Sequence, residues 1–317
     1  MQQRFSLNII IKLAFLLLFV FALYFQIAYH ESLDVLSAQF LNLYHSIDKG
    51  LLLLVACLMP LNWLLESLKW QKLNNKFEQL SLSKTYMAIL SGLSFSLFTP
   101  NRLGEYIGRV LFLAPENRGK GSVSVFINSI AQMIITIILG IIGLYYWVYP
   151  LKGNLFMFLI IPLSLIILLI LYLYYNIKSL HRFFGSFSFF RKIEGFTTIL
   201  NAFSYNNLTY ILVLSLLRYM VYMIQYLLLL YVYGMKFEIF KAMTLISLIF
   251  LGQTIIPSIT LGELGIRENL SVYFLSTITD NKIAILVASF SLWMINLILP
   301  AIIGSIFSMK INIMKDK

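Results

Sequence analysis

Two short stretches of this chain place ionisable side chains among apolar neighbours. The first, Thr99 to Arg109, reads TPNRLGEYIGR and carries Arg102, Glu105 and Arg109. The second, Pro257 to Glu268, reads PSITLGELGIRE and carries Glu263, Arg267 and Glu268. Arg218 adds a cation one turn before Tyr222 in a separate apolar run. Four arginines minus three glutamates leaves a net charge of +1. A phosphodiester monoanion would neutralise it, and the planar guanidinium fork suits phosphate oxygens. The glutamates would orient the arginines or accept an ammonium group on the same ligand. A purely structural reading competes: Glu105–Arg109 and Glu263–Arg267 are both spaced i, i+4, so each closes a private ion pair if its segment is helical. Buried pairs can exist only to make two charges tolerable. Pro100, Gly104, Pro257, Gly262 and Gly265 shape the two tips. Half-helices starting near Leu103 and Gly265 would point backbone N–H donors at an anion.

The elements that must position these residues lie in a membrane. Of 317 residues, 60% are hydrophobic and 12% charged, with a mean hydropathy of +0.86. Soluble domains are nearer half apolar and a quarter charged. Basic residues number 24 against 13 acidic, a balance of +11. Cytoplasmic loops facing anionic lipid account for that excess, with no need for nucleic acid. Cys57 is the single cysteine, and His30, His45 and His181 are isolated, so neither a disulfide framework nor a metal site is expected.

A membrane helix needs about 20 apolar residues. Ile9–Tyr29 qualifies and reads as a retained first helix, because it exceeds a signal-peptide core and no small-x-small cleavage site follows. Gly50–Leu68, Ser122–Tyr149, Leu155–Tyr175, Leu208–Tyr233 and Ile283–Met309 also qualify. Thr85–Thr99 and Ala242–Ile256 fall short of the hydrocarbon core and then meet the two charged stretches, where proline and glycine break the helix. If both crossed fully, Lys and Arg would divide 12 inside and 11 outside. If both are re-entrant hairpins, the division is 15 to 5, with Arg102, Arg109, Arg218 and Arg267 at membrane depth. The positive-inside bias selects the second threading. The expected fold is an all-α polytopic membrane protein with six full transmembrane helices and two re-entrant helical hairpins. Both termini are then cytoplasmic. Leu33–Ile47 is expected along the outer surface, and Glu66, one turn before Lys69, reads as an interface ion pair at a cytoplasmic helix end.

The two charged stretches also repeat each other. Both contain Leu-Gly-Glu with an arginine four residues after the glutamate, and the offset from Gly104 to Gly262 is 158 residues. The spans beginning at Gly50 and Leu208 share that offset. Residues 1–317 thus form one membrane domain: a first helix and outer segment (1–49), a half-repeat (50–149), a linking helix with a basic cytoplasmic loop (155–207), and an inverted half-repeat (208–309). Inverted halves with broken helices meeting near the midplane are a secondary-transporter architecture, so a hydrated cavity between the hairpins is expected.

Pro-x-Arg-x-Gly-Glu followed by arginine, with the later Pro…Gly-Glu-x-Gly-x-Arg-Glu, resembles the flippase-like transmembrane region of lysylphosphatidylglycerol synthases and the stand-alone membrane proteins grouped with them. The resemblance runs from about Ile9 to Met309. It implies movement of a lipid, often an aminoacylated phosphatidylglycerol, between leaflets of the cell membrane. The chain stops at Lys317 without the soluble aminoacyl-transferring domain, so lipid synthesis is not implied. Thr260 stands where the first motif has Arg102.

No Asp-x-Asp, Gly-x4-Gly-Lys-Ser/Thr, His-Glu-x-x-His, Cys-x-x-Cys or Gly-x-Ser-x-Gly occurs. The reading is therefore a transporter of a phosphate-bearing lipid, with no cofactor, Arg102, Arg109 and Arg267 on the phosphate, and homo-oligomerisation left open. The alternative is an integral membrane transferase acting on a lipid or polyprenyl-phosphate carrier, with Glu105 or Glu263 as general base. A small-solute or ion transporter on the same scaffold is a third reading.

Overall fold

The computed structural model describes residues 47–97, 99, 103–149, 154–176, 203–256 and 260–308. The expected first helix Ile9–Tyr29, most of Leu33–Ile47, the basic loop after residue 176, and Pro100, Arg102 and Pro257 lie outside the described residues. Among the described residues all regular structure is helical.

The first half contains α1 (Lys49–Asn74), α2 (Leu82–Ser96), α3 (Leu103–Val110) and α4 (Arg118–Val148). Helix α5 (Asn154–Tyr175) follows, and the second half contains α6 (Tyr205–Val232), α7 (Ile239–Ile255), α8 (Thr260–Leu275), α9 (Lys282–Trp293) and α10 (Leu299–Ser308). A π-helical turn at Met294–Ile298 joins α9 to α10. Side-chain caps set several starts: the Asp48 carboxylate accepts from Gly50 N and Leu51 N at 2.9 and 3.1 Å. Ser81 caps α2 and Asn281 caps α9 in the same way.

Among the described residues, four segments are long and apolar enough to cross a membrane: Lys49–Asn74, Pro115–Val148, Tyr205–Val232 and Lys282–Ser308. They coincide with four of the six expected spans. The expected Leu155–Tyr175 falls on α5. The expected short stretches Thr85–Thr99 and Ala242–Ile256 are α2 and α7, each beginning three residues earlier than expected.

Each short helix has the helix that follows it packed along its length. The α3 backbone lies so close along α2 that a Cβ on Gly108 would come within 2.6 Å of the Gly92 Cα. Gly104, second in α3, packs against the Phe95 carbonyl, and its N–H donates to Thr99 Oγ1 at 2.6 Å. Helix α8 likewise packs along α7, with Gly252 against Leu270. One expectation is corrected here. Gly265 does not open a half-helix: α8 begins at Thr260, and Gly265 is buried inside it. Glycine is tolerated within a helix when packing compensates its entropy, and Glu263 in the first turn favours the earlier start.

The halves then exchange partners. Helix α2 rests on α10, where Ser91 Oγ donates to Gly304 O and Ser94 Oγ to Ala301 O. Helix α7 rests on α4, with Gly140 against Leu251 and Gly143 against Ser247. Helices α1 and α6 pack on each other and run antiparallel: Lys69 meets Ser215, Asn62 meets Arg218 and Val55 meets Gln225. Exchanging the halves leaves this packing scheme unchanged. One apolar cluster built on Trp63, Ile89, Leu93 and Trp293 seats the first hairpin, and one built on Tyr226, Ile246, Phe250 and Ile285 seats the second.

Candidate functional site

The apolar core contains ions. Lys69, Arg109 and Arg267 are among the largest fully buried side chains. Their arrangement follows from polar stripes at helical spacing on apolar helices: Asn62, Glu66 and Lys69 on α1, Asn128 and Gln132 on α4, Ser215 and Arg218 on α6.

Glu66 is the hub. Its Oε1 pairs with Arg109 Nη1 at 2.9 Å and accepts from Asn128 Nδ2 at 2.7 Å. Its Oε2 pairs with Lys69 Nζ and with Arg218 Nη1, both at 3.0 Å. Lys69 Nζ also donates to Ser215 Oγ at 3.0 Å and Gln132 Oε1 at 3.3 Å, so all three ammonium protons have acceptors. Arg109 also pairs with Glu105 on α3. Arg218 Nε donates to Asn62 Oδ1 at 2.8 Å, and its guanidinium lies 4.7 Å from the Trp63 ring centroid. Asn62 in turn donates to Asn296 Oδ1, in the π turn, at 3.1 Å. Three cations minus two glutamates leaves this cluster at +1.

The expected Glu66–Lys69 pair is therefore present, but not at an interface. Glu66 is 5% exposed and Lys69 0%. Removing Lys69 from the fifteen loop cations leaves fourteen against five, and the charge bias survives.

Beside the cluster lies a cavity of about 220 Å³. Arg218, Glu263 and Arg267 are its charged lining, two cations to one anion, again +1. Asn62, Gln132, Gln253 and Asn296 supply amides that can donate or accept. Trp63, Tyr219, Tyr222, Phe250 and Trp293 add aromatic rings to the wall. Residues of both halves contribute, from α1 and α4 as well as from α6, α7, α8 and α9.

The expected site residues separate into two groups. Arg218, Glu263 and Arg267 meet at the cavity, whereas Arg109 and Glu105 reach it only through Glu66. The i, i+4 pair expected at Glu105–Arg109 forms, and it is not private, since Arg109 is shared with Glu66. Arg267, 2% exposed, donates from Nε to Ser289 Oγ at 3.2 Å. Glu268, 3% exposed, is not part of the cavity lining. Gly262 stands in the first turn of α8 beside Glu263. Asn62, Glu66, Lys69, Gln132, Gln253 and Asn296 were not among the expected site residues. Among the described residues no three His, Cys, Asp or Glu side chains group as metal ligands would.

The chain matches the family described as the lysylphosphatidylglycerol synthase TM region over residues 9–304. A search of curated proteins returns no match.

Proposed function

This chain belongs to the lysylphosphatidylglycerol synthase transmembrane family, and we propose that it moves a phosphate-bearing lipid headgroup between leaflets through the cavity that its second hairpin lines with α1, α4, α6 and α9. Membership makes it a multi-pass, lipid-associated membrane protein. The finer reading is ours. One observation carries it: a pocket inside a membrane protein, built from both halves, whose lining charges sum to +1. Charges at membrane depth are costly and mark pathways.

Arg218 and Arg267 take the phosphodiester oxygens, since guanidinium forks bind them bidentately. Glu263 steadies those arginines or accepts the ammonium of an aminoacylated headgroup. Arg109 acts at one remove, through Glu66 on Arg218. The acyl tails stay in the bilayer.

The threading proposed with it keeps two re-entrant hairpins and six full spans in the cell membrane, with Ile9–Tyr29 and α5 completing the set and both termini cytoplasmic. Two features support it. At 1.5 Å per residue, the 15 residues of α2 and 17 of α7 reach about 22 and 26 Å, short of the ~30 Å hydrocarbon core. Helices α1 and α6, related by the 158-residue offset, run antiparallel, as a two-fold axis in the membrane plane requires.

The test is reconstitution. Purified protein should speed the exchange of fluorescent-acyl phosphatidylglycerol between leaflets, read by an impermeant quencher, and Arg267→Gln should slow it. Exchange no faster than in protein-free vesicles would refute the proposal. Glu263, the carboxylate facing the cavity, is also what a transferase reading would use as general base. Covalent turnover of a lipid carrier that Glu263→Gln abolishes would move the assignment to that class.

A further inference from the structure

Glu268 follows Arg267 in sequence but occupies different surroundings. Arg267 lines the cavity, whereas the Glu268 side chain is packed between α8, α9 and α6, and neither carboxylate oxygen makes a hydrogen bond. Ser289 on α9 and Arg267 are the polar groups acting on that carboxyl, and Tyr226 faces it from α6. Of the flanking helices, α6 carries Arg218, which lines the cavity, α7 carries Lys241, exposed in its first turn, and α9 carries Lys282 at its first position.

The hydroxyls beside Glu268 are connected. Tyr226 Oη donates to Ser271 Oγ at 2.7 Å, and Ser271 Oγ donates to Ser289 Oγ at 3.4 Å. Arg267 Nε donates to the same Ser289 oxygen at 3.2 Å. Ser289 thus accepts twice, and its own hydroxyl proton remains to be given to the carboxyl beside it. One serine therefore stands between a buried carboxyl and a guanidinium that lines the cavity.

The nature of the occupant follows from charge. A carboxylate with a single hydroxyl beside it to donate is costly in the membrane interior. A metal cation there would sit against the Arg267 guanidinium, which already occupies Ser289. A proton bonds to the carboxylate itself, removes its charge and needs no ligand shell. We propose that Glu268 is a proton-binding site that couples headgroup movement to a pH gradient, an inference that rests on the lipid-translocating reading above. The proton comes from cavity water by way of the Ser289 hydroxyl, bonds to a carboxylate oxygen of Glu268, and leaves by the same hydroxyl when the cavity faces the other leaflet. Glu268 then serves coupling, and Arg218 and Arg267 hold the headgroup. One proton and one phosphodiester anion together carry no net charge, so the pH gradient drives the step and voltage does not.

The full-length protein in phosphatidylglycerol–phosphatidylcholine vesicles, doped with fluorescent-acyl phosphatidylglycerol, tests this. With one proton per lipid, each unit of pH gradient should skew the leaflet distribution about tenfold, because one pH unit is worth a factor of ten in the coupled equilibrium. A protonophore should abolish the skew, and a valinomycin–potassium potential alone should produce none. Glu268→Gln should exchange lipid without skewing it. Glu268→Asp, which keeps a carboxyl, should skew it in part, separating lost coupling from lost folding. An even distribution in wild type while exchange proceeds overturns the inference and leaves the translocation reading standing. If wild type exchanges no lipid, that reading fails, and infrared spectroscopy decides Glu268 alone. A carboxylic-acid C=O band present in wild type and missing from Glu268→Gln supports proton binding, and its absence from wild type refutes it.

Discussion

Replacing Glu66 with glutamine removes the anion shared by Lys69, Arg109 and Arg218 at 2.9–3.0 Å. The shape is kept, and the charge is not. Lys69 retains only neutral partners in Gln132 and Ser215, Arg218 retains Asn62, and Arg109 retains Glu105. The glutamine also turns an amide nitrogen toward donors, since only one of its two terminal atoms accepts. Local charge rises from +1 to +2 in a site where Glu66 and Arg109 are 5% and 1% exposed. Removing one partner of a buried pair costs about 3–5 kcal/mol, and with three cations affected the upper end applies. At roughly 2 °C per kcal/mol for a chain larger than 250 residues, the midpoint should fall by about 10 °C. Heating purified protein in detergent, followed by size-exclusion recovery of the folded species, measures it. Glu66→Gln combined with Lys69→Met returns the cluster to +1 and should recover about half the loss, a coupling that a double-mutant cycle reads directly. A single variant melting within about 2 °C of wild type would refute the claim that Glu66 holds the cluster together.

Two further outcomes follow from local geometry. Gly108→Ala would drive a methyl group to 2.6 Å from the Gly92 Cα, a backbone atom that cannot rotate away, and should cost about 3 kcal/mol in the same thermal assay. Arg218→Lys keeps the charge but cannot hold Asn62 and Glu66 together while lying flat on Trp63. Lipid exchange should fall about tenfold, the equivalent of one charge-assisted hydrogen bond, with less loss of stability than Glu66→Gln.

The membrane class, the family and the positions of the described helices were legible because each depends on a long stretch of residues. Twenty apolar side chains leave little ambiguity, and the breaks after α2 and α7 carry proline, glycine and charge together. The exact opening of α8 was not legible, since two glycines read equally well as a break and as a close contact. Glu66 shows a different difficulty. A glutamate three residues before a lysine near the end of an apolar run looks the same whether water or protein surrounds it. What distinguishes it is Asn62 one turn earlier, which puts Asn62, Glu66 and Lys69 on one face of α1. The partner stripes on α4 and α6, Asn128–Gln132 and Ser215–Arg218, are some 60 to 150 residues distant. No local spacing rule joins them, so the convergence on Glu66 became visible only with tertiary packing. A hydrated cavity between the two hairpins was expected; Glu263 of the second lines it, whereas Glu105 of the first is linked to it only through Arg109, Glu66 and Arg218 in turn.

The seating of each hairpin on the far half has a mechanical corollary. Helix α2 leans on α10, and α10 continues into the π turn that delivers Asn296 to the pocket wall; α7 leans on α4, which delivers Gln132. A displacement of either short helix would therefore pull on a helix of the other half, and through it on an amide in the pocket wall.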